Sequence, residues 1–280
     1  MPHANCRRLV VAVMAALIPQ AGMAQTQLKI FDAHLHYNQE PAAFYQLDQV
    51  LEVFRRNHVA GIIANSRPNK GTHELVDAKA QGLLVVPFIR PYRTRADVSD
   101  WSTDPSIYDL IESEYRRGYF RGIGEFHIYG DAADRPLVRQ TVEFAAARDL
   151  YLLAHCDEVA LEILLGHHRD AKIIWAHTGF STPLPRVREL LQRHPALMGE
   201  LSYRSGITDD SGRLSEEWRQ LLQRHSDRFL IGSDTWINER WYGYDRIIAG
   251  YRAWLADLPE AEARRIAHGN AERLFGAKLQ

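Results

Sequence analysis

His34 and His36 stand two residues apart in the run Phe31-Asp-Ala-His-Leu-His-Tyr37. On a β-strand, side chains two apart share a face, so two imidazoles near a strand's end can close on one metal ion. Three more residues of metal-binding type end later apolar runs. They are His155 in Leu152-Leu-Ala-His155, His177 in Ile173-Ile-Trp-Ala-His177 and Asp234 in Phe229-Leu-Ile-Gly-Ser-Asp234. Nitrogen and carboxylate donors drawn from several strand ends suit a catalytic divalent metal. Each residue alone has an ordinary structural explanation; their recurrence at the same end of successive runs points to a site.

Glu125, in Gly122-Ile-Gly-Glu-Phe-His127, is open to three roles. It can bridge two metals, bind one, or orient a liganding histidine. His127, two residues on, shares the face of Glu125 and either reaches the site's rim or lies on the surface. Arg90 ends another apolar run, and Tyr203 and Arg204 follow Gly199-Glu-Leu-Ser202. Either arginine can grip a substrate carboxylate through its two-pronged donor, or pair with Glu200 or another carboxylate of the fold. Asp32 is expected on the face of His34, one layer deeper, as polar support.

These residues need a scaffold that brings many strand ends together. Apolar, β-rich runs occur at 28–31, 61–65, 83–89, 119–128, 151–155, 172–177, 196–202 and 228–232. Amphipathic helical patterns occur at 47–59, 110–117, 138–150, 159–168, 187–194, 216–225 and 247–258, with a closing helix at 261–275. Strands alternating with helices predict a parallel sheet. Eight such units in a single domain predict a (β/α)8 TIM barrel, whose active site lies at the C-terminal ends of the strands. The polar stretch 91–104, after one of those strands, reads as a lid, a substrate clamp or a decorated loop. His58, His168, His194 and His225 fall near helix C-termini, where a partial positive charge is favoured by about 0.3–1 kcal/mol. They are not expected to be ligands, and His268 belongs to the closing helix.

The ending Ala267-His-Gly-Asn-Ala-Glu-Arg-Leu-Phe275, taken with the strand-end ligands, resembles the amidohydrolase superfamily, specifically the amidohydrolase-2 type of metal-dependent hydrolase. The resemblance implies a (β/α)8 barrel, one or two divalent metals (zinc first, manganese second) and attack of activated water on a carbonyl or phosphoryl centre. It implies that His34, His36, His155 and Asp234 are metal-site residues, and that His177 polarises substrate or binds a second metal. Relatives that bridge two metals use a glutamate, as TatD-like nucleases do, or a carboxylated lysine. The five lysines, at 29, 70, 79, 172 and 278, all lie away from strand C-termini, which leaves Glu125 as the bridging candidate. The expected reaction is hydrolysis of a small carboxylate-bearing lactone, ester or amide, with Asp234 as proton acceptor. The rivals are a decarboxylase on the same scaffold, a TatD-like phosphodiesterase and a non-catalytic metal-binding barrel.

The 280 residues carry a net charge of −1, which gives no global field toward nucleic acid or anionic membranes. The expected partner is therefore a small molecule, with self-association as a homo-oligomer also open. Residues 1–24 read as a cleavable secretion signal, with Arg7-Arg8, an apolar run from Leu9 to Ile18 and Gly22-Met-Ala24 at the cut. That run is too short to span a bilayer and no lipidation cysteine adjoins the cut, so no stable membrane anchor is expected. The expectation is a periplasmic or secreted mature domain of residues 25–280. Of the two cysteines, Cys6 leaves with the signal, and Cys156 is expected to be a buried, inert thiol facing away from His155.

Overall fold

The computed structural model describes residues 27–40 and 42–279; the export signal read at 1–24 lies outside them. Eight parallel strands run in sequence order: β1 (Ile30–Leu35), β2 (Val59–Ala64), β3 (Leu84–Ile89), β4 (Gly122–Ile128), β5 (Tyr151–Cys156), β6 (Lys172–Trp175), β7 (Met198–Glu200) and β8 (Phe229–Leu230). The barrel closes through a parallel bridge between Asp32 and Ile231 and the 2.8 Å hydrogen bond from Ala33 N–H to Ile231 O. Helices lie between the strands on the outside, giving the (β/α)8 barrel that the alternation predicts.

Apolar alternation builds two cores. Outward residues such as Ile123, Leu152 and Ile173 pack under the helices. Inward residues, among them Phe31, Val86, Phe88, Leu153, Ile174, Met198 and Leu230, fill the barrel's floor. Phe275 of the closing helix (Asn270–Phe275) seals that floor, its ring 5.9 Å from Phe31 and 5.2 Å from Tyr151. Gly61 is required opposite Phe31, because a Cβ there would enter the phenyl ring. Cys156 is buried among the outward residues, as expected.

The helix Lys70–Asp77 has no counterpart in the sequence reading, nor do the short helices Asp97–Asp100 and Asn238–Tyr242. The first buries Gly71, Thr72 and Leu75, two small residues and one leucine, so it lacks the apolar stripe that marks an amphipathic helix. The expected closing helix at 261–275 is realised as the helix Glu260–Arg264, a π-turn over Arg265–Gly269 and the helix Asn270–Phe275.

Two β-bulges decide which side chains face the site. In β1 the pairing slips between Asp32 and Leu35, and in β4 it slips between Gly124 and Phe126. An extra residue shifts the alternation by one. Phe31 and Ala33 therefore face inward in the floor, and beyond the bulge His34 and His36 also face inward. In β4 the slip brings Glu125 and His127 to the interior while Phe126 packs outward. The same slip corrects the expectation for Asp32. It points outward, accepting from Tyr244 O–H at 2.8 Å and from Ser233 N–H at 2.8 Å.

Candidate active site

Above the apolar floor the barrel carries a layer of buried polar side chains. His34, His36, Glu125, His177, Glu200 and Asp234 are each at most 4% exposed. His34 Nε2 lies 3.1 Å from His36 Nε2, 3.4 Å from Glu125 Oε1 and 3.6 Å from Asp234 Oδ1. His36 Nε2 lies 3.3 Å from Glu125 Oε2 and 3.1 Å from Asp234 Oδ1.

The other ring nitrogens fix these orientations. His34 Nδ1 lies 2.9 Å from Glu200 Oε2, and a carboxylate accepts, so Nδ1 carries the proton. His177 Nδ1 donates to Ser202 O at 2.8 Å, and His36 Nδ1 lies 3.2 Å from Asn65 O and against the Arg90 guanidinium. In the neutral state His34 and His177 therefore aim an Nε2 lone pair inward. Neutral His177 offers a ligand or a base, and protonated His177 can donate to a substrate oxygen; burial disfavours the protonated form, but Glu125 and Glu200 outweigh it and raise the pKa.

Glu200 in β7 was read only as an ion-pair partner for an arginine. It is a hub instead. Its carboxylate also accepts from Ser202 N–H at 2.5 Å, Ser202 O–H at 2.9 Å and His177 N–H at 3.2 Å. Gly232 of the segment after β8 packs against it, and a Cβ there would lie 2.7 Å from Glu200 Oε1 and 2.5 Å from His34 Cβ. A lone glutamate in the short run Met198-Gly-Glu-Leu-Ser was the available sequence signal.

His155 is held apart from the His34–His36–Asp234 group. Its Nδ1 donates to Glu125 Oε1 at 2.8 Å, and its ring stacks on His127 with centroids 4.1 Å apart. The possible ligand sets are thus His34, His36, Glu125 and Asp234; His34, His177 and Glu200; and Glu125, His127 and His155. His127 itself is oriented by Tyr92, whose hydroxyl accepts from His127 N–H at 2.7 Å and lies 3.0 Å from Nδ1. With its oxygen accepting, the hydroxyl proton goes to Nδ1, which leaves the His127 proton on Nε2. Burial pushes this imidazole down to about 3, so it is neutral near pH 7.

The two arginines named from sequence are committed to the protein. Arg90 Nη2 donates to Glu125 Oε2 at 3.1 Å, its Nη1 donates to Asn65 Oδ1 at 3.0 Å, and the guanidinium abuts the His36 ring. Arg204 donates to Thr182 O, and its guanidinium stacks 5.2 Å from the Trp218 ring. Arg90 lines the cavity, whereas Arg204 does not. Tyr203 lines it too and accepts from Trp236 Nε1 at 3.1 Å.

The cavity over this layer has a volume of about 420 Å³. Glu125, His127, His155, His177 and Asp234 are at its base, and Phe180, Tyr203, Trp236, Val98 and Ser99 form its walls. The stretch 91–104 therefore overhangs the site, as one of the readings expected. It is anchored by Trp101, whose indole N–H donates to His127 O at 2.7 Å, and by the Arg93–Asp97 pair.

A divalent cation fits the first ligand set. Its four donor atoms lie within 4.8 Å of one another, and buried Asp234 Oδ1 and His177 Nε2 have no hydrogen-bond partner among the described residues. Charge favours a cation as well. Burial disfavours a protonated His34, yet Asp234, Glu125 and Glu200 outweigh burial and raise its pKa well above the usual value. Burial likewise disfavours ionised Asp234, but His34 and His36 hold its carboxyl below the usual range. Imidazole nitrogens with carboxylate oxygens suit zinc or another first-row ion.

A family model described as amidohydrolase matches residues 98–277. No curated protein matches the sequence. Among solved structures, the barrel is similar to a putative 2-pyrone-4,6-dicarboxylic acid hydrolase from Pseudomonas putida. That pair has a TM-score of 0.63 and 15% identity, with 90% of this chain and 99% of that chain covered. It is also similar to an amidohydrolase from Burkholderia multivorans with zinc bound, with a TM-score of 0.61, 18% identity, and 89% and 100% covered. An amidohydrolase 2 from Bifidobacterium longum subsp. infantis is similar at a TM-score of 0.54 and 12% identity, with 90% and 100% covered.

Proposed function

The chain belongs to the amidohydrolase family and is a metal-dependent hydrolase, and from that premise we propose that it cleaves a small lactone, ester or amide at its carbonyl carbon. The observation that supports this reading best is the pair of unpartnered, buried atoms, Asp234 Oδ1 and His177 Nε2, at the base of a cavity sized for a small molecule. His34, His36, Asp234 and Glu125 would hold one divalent ion, for which zinc is the first candidate. When bound, such an ion polarises a carbonyl and lowers the pKa of water toward about 7.

The chain's own groups complete the chemistry. Asp234, kept ionised, accepts the proton of the attacking water. His127, with its proton on Nε2 facing the cavity, donates a hydrogen bond to the substrate oxygen on which charge develops. Arg90 and His155 hold Glu125 from two sides. Phe180, Tyr203, Trp236 and the 91–104 segment exclude bulk water, which strengthens these interactions.

The test is a substrate panel of lactones, esters, amides, phosphodiesters and aromatic carboxylic acids, with zinc or manganese added. Hydrolysis of a carbonyl substrate, reduced at least a hundredfold in a folded Asp234→Asn variant, is the expected result. Release of carbon dioxide without hydrolysis, or cleavage of phosphodiesters alone, would overturn the proposal. Near-normal turnover in Asp234→Asn would remove Asp234 from the mechanism and make His177 the candidate base.

A further inference from the structure

We propose that Arg67 and Arg95 form a carboxylate-binding corner where the catalytic cavity meets a second chamber, so that the substrate carries a carboxylate remote from its scissile carbonyl. This rests on the hydrolase reading above and assigns the recognition of the anionic group, for which Arg90 and Arg204 are unavailable.

The second chamber has a volume of about 270 Å³ and shares Arg67, Arg95 and Trp236 with the catalytic cavity. Arg95 is exposed, and its side chain makes no hydrogen bond or ion pair with any described residue. Arg67 is half-buried, and its side chain donates only through Nε, to Glu40 at 2.7 Å, so its terminal nitrogens have no partner among the described residues. Two guanidinium groups with open donors, meeting at the junction of two cavities, suit the planar oxygen pair of a carboxylate. Glu40, paired with Arg67, and Glu239 line the second chamber and repel a second anion there.

The walls add a shape. Phe180, Tyr203 and Trp236 are 37%, 43% and 43% exposed, and all three line the catalytic cavity. Large aromatic faces left open beside a site offer stacking surface to a flat ring. The substrate class is therefore a flat, unsaturated or aromatic monocarboxylate whose scissile carbonyl reaches the polar base while its carboxylate stays at the junction.

Phenylacetate and its uncharged isostere phenylacetamide serve as probes, titrated calorimetrically into zinc-loaded protein. Wild type should bind phenylacetate roughly tenfold tighter, the scale of one charge-assisted hydrogen bond made in partial contact with solvent. Arg95→Met should remove most of that preference with zinc content and melting temperature unchanged, because the side chain holds nothing else. Arg67→Lys tests the partner without removing the charge from Glu40, and should weaken phenylacetate several-fold while leaving phenylacetamide alone. A preference that survives in the Arg67→Lys, Arg95→Met double variant would place the carboxylate elsewhere, on the metal site for instance, and overturn the inference. So would equal binding of the two probes, or no detectable phenylacetate binding, in wild type. Failure of every carbonyl substrate in the activity panel would instead strike the hydrolase reading and leave this binding comparison standing.

Discussion

Replacing Glu200 by glutamine tests whether a residue outside the cavity governs the metal site. Its Oε2 accepts from His34 Nδ1, Ser202 O–H and His177 N–H, and its Oε1 accepts from Ser202 N–H. A glutamine keeps most of this by turning its oxygen toward the first three donors. Its NH2 then faces Ser202 N–H, a donor against a donor. That mismatch, in a fully buried setting, costs about 1–3 kcal/mol of stability. The larger effect falls on His34. Without the negative charge behind Nδ1 its Nε2 is a weaker donor and its ring is less firmly held, which lowers metal affinity roughly 10–100-fold. The assay is zinc affinity by chelator competition, alongside urea unfolding of the metal-free protein. Glu200→Ala, which leaves all four donors unanswered, should lose more of both. A folded Glu200→Gln variant with unchanged zinc affinity would refute the reasoning and reduce Glu200 to a structural link between β1, β6 and β7.

Substituting His34→Ala together with His36→Ala should abolish zinc binding, measured by elemental analysis of the folded protein; full metal content would put the site elsewhere. Asp97 is buried, which favours its neutral form, but hydrogen bonds led by that from Arg93 outweigh this and hold its carboxyl below the usual range. A depressed folded-state pKa stabilises the protein above the unfolded value near 4 and ceases to do so as pH falls through the folded value. Asp97→Asn should therefore lower the melting temperature at pH 7, with the difference from wild type closing in acid; a difference independent of pH would contradict the pairing. Export through residues 1–24 predicts a mature chain beginning near Gln25, which N-terminal sequencing of periplasmic protein would reveal.

The barrel was legible because each strand–helix unit writes its own periodicity, and the candidate ligands stood out because they end apolar runs. The phase of the alternation was not. Both bulges insert a single residue; nothing in Asp32-Ala-His-Leu35 distinguishes an extra residue from a paired one, and the only mark in β4 is Gly124, at φ 129°. The HxH spacing nevertheless survived, because the β1 slip precedes it, whereas Asp32 landed on the opposite face. Arg90 and Arg204 follow strand ends, but side-chain commitment depends on distant partners such as Asn65 and Trp218 that adjacency does not reveal. Arg67 escaped notice because it sits in a loop between elements, where position is set by the fold alone, and Arg95 entered only as part of the 91–104 stretch read as a lid, clamp or decorated loop. The protonated nitrogen of each histidine likewise follows from neighbours contributed by other strands.

The backbone around the cavity has left-handed geometry at side-chain-bearing residues, with φ of 57° at His177, 42° at Thr178, 53° at Phe180, 51° at Tyr203 and 48° at Asp234. Such conformers cost roughly 1–3 kcal/mol each and persist only where surroundings overdetermine them. For anyone seeking a hardier protein, glycine is the usual remedy at such positions. Here the remedy is closed. Glycine at 177 or 234 would delete a candidate ligand or base, at 180 or 203 a wall, and at 178 the hydroxyl that donates to Glu200 O at 2.9 Å. Thermal robustness in this molecule therefore has to be sought on the helices and at the barrel's floor, and the rim keeps a conformational tension that its chemistry does not allow to be relaxed.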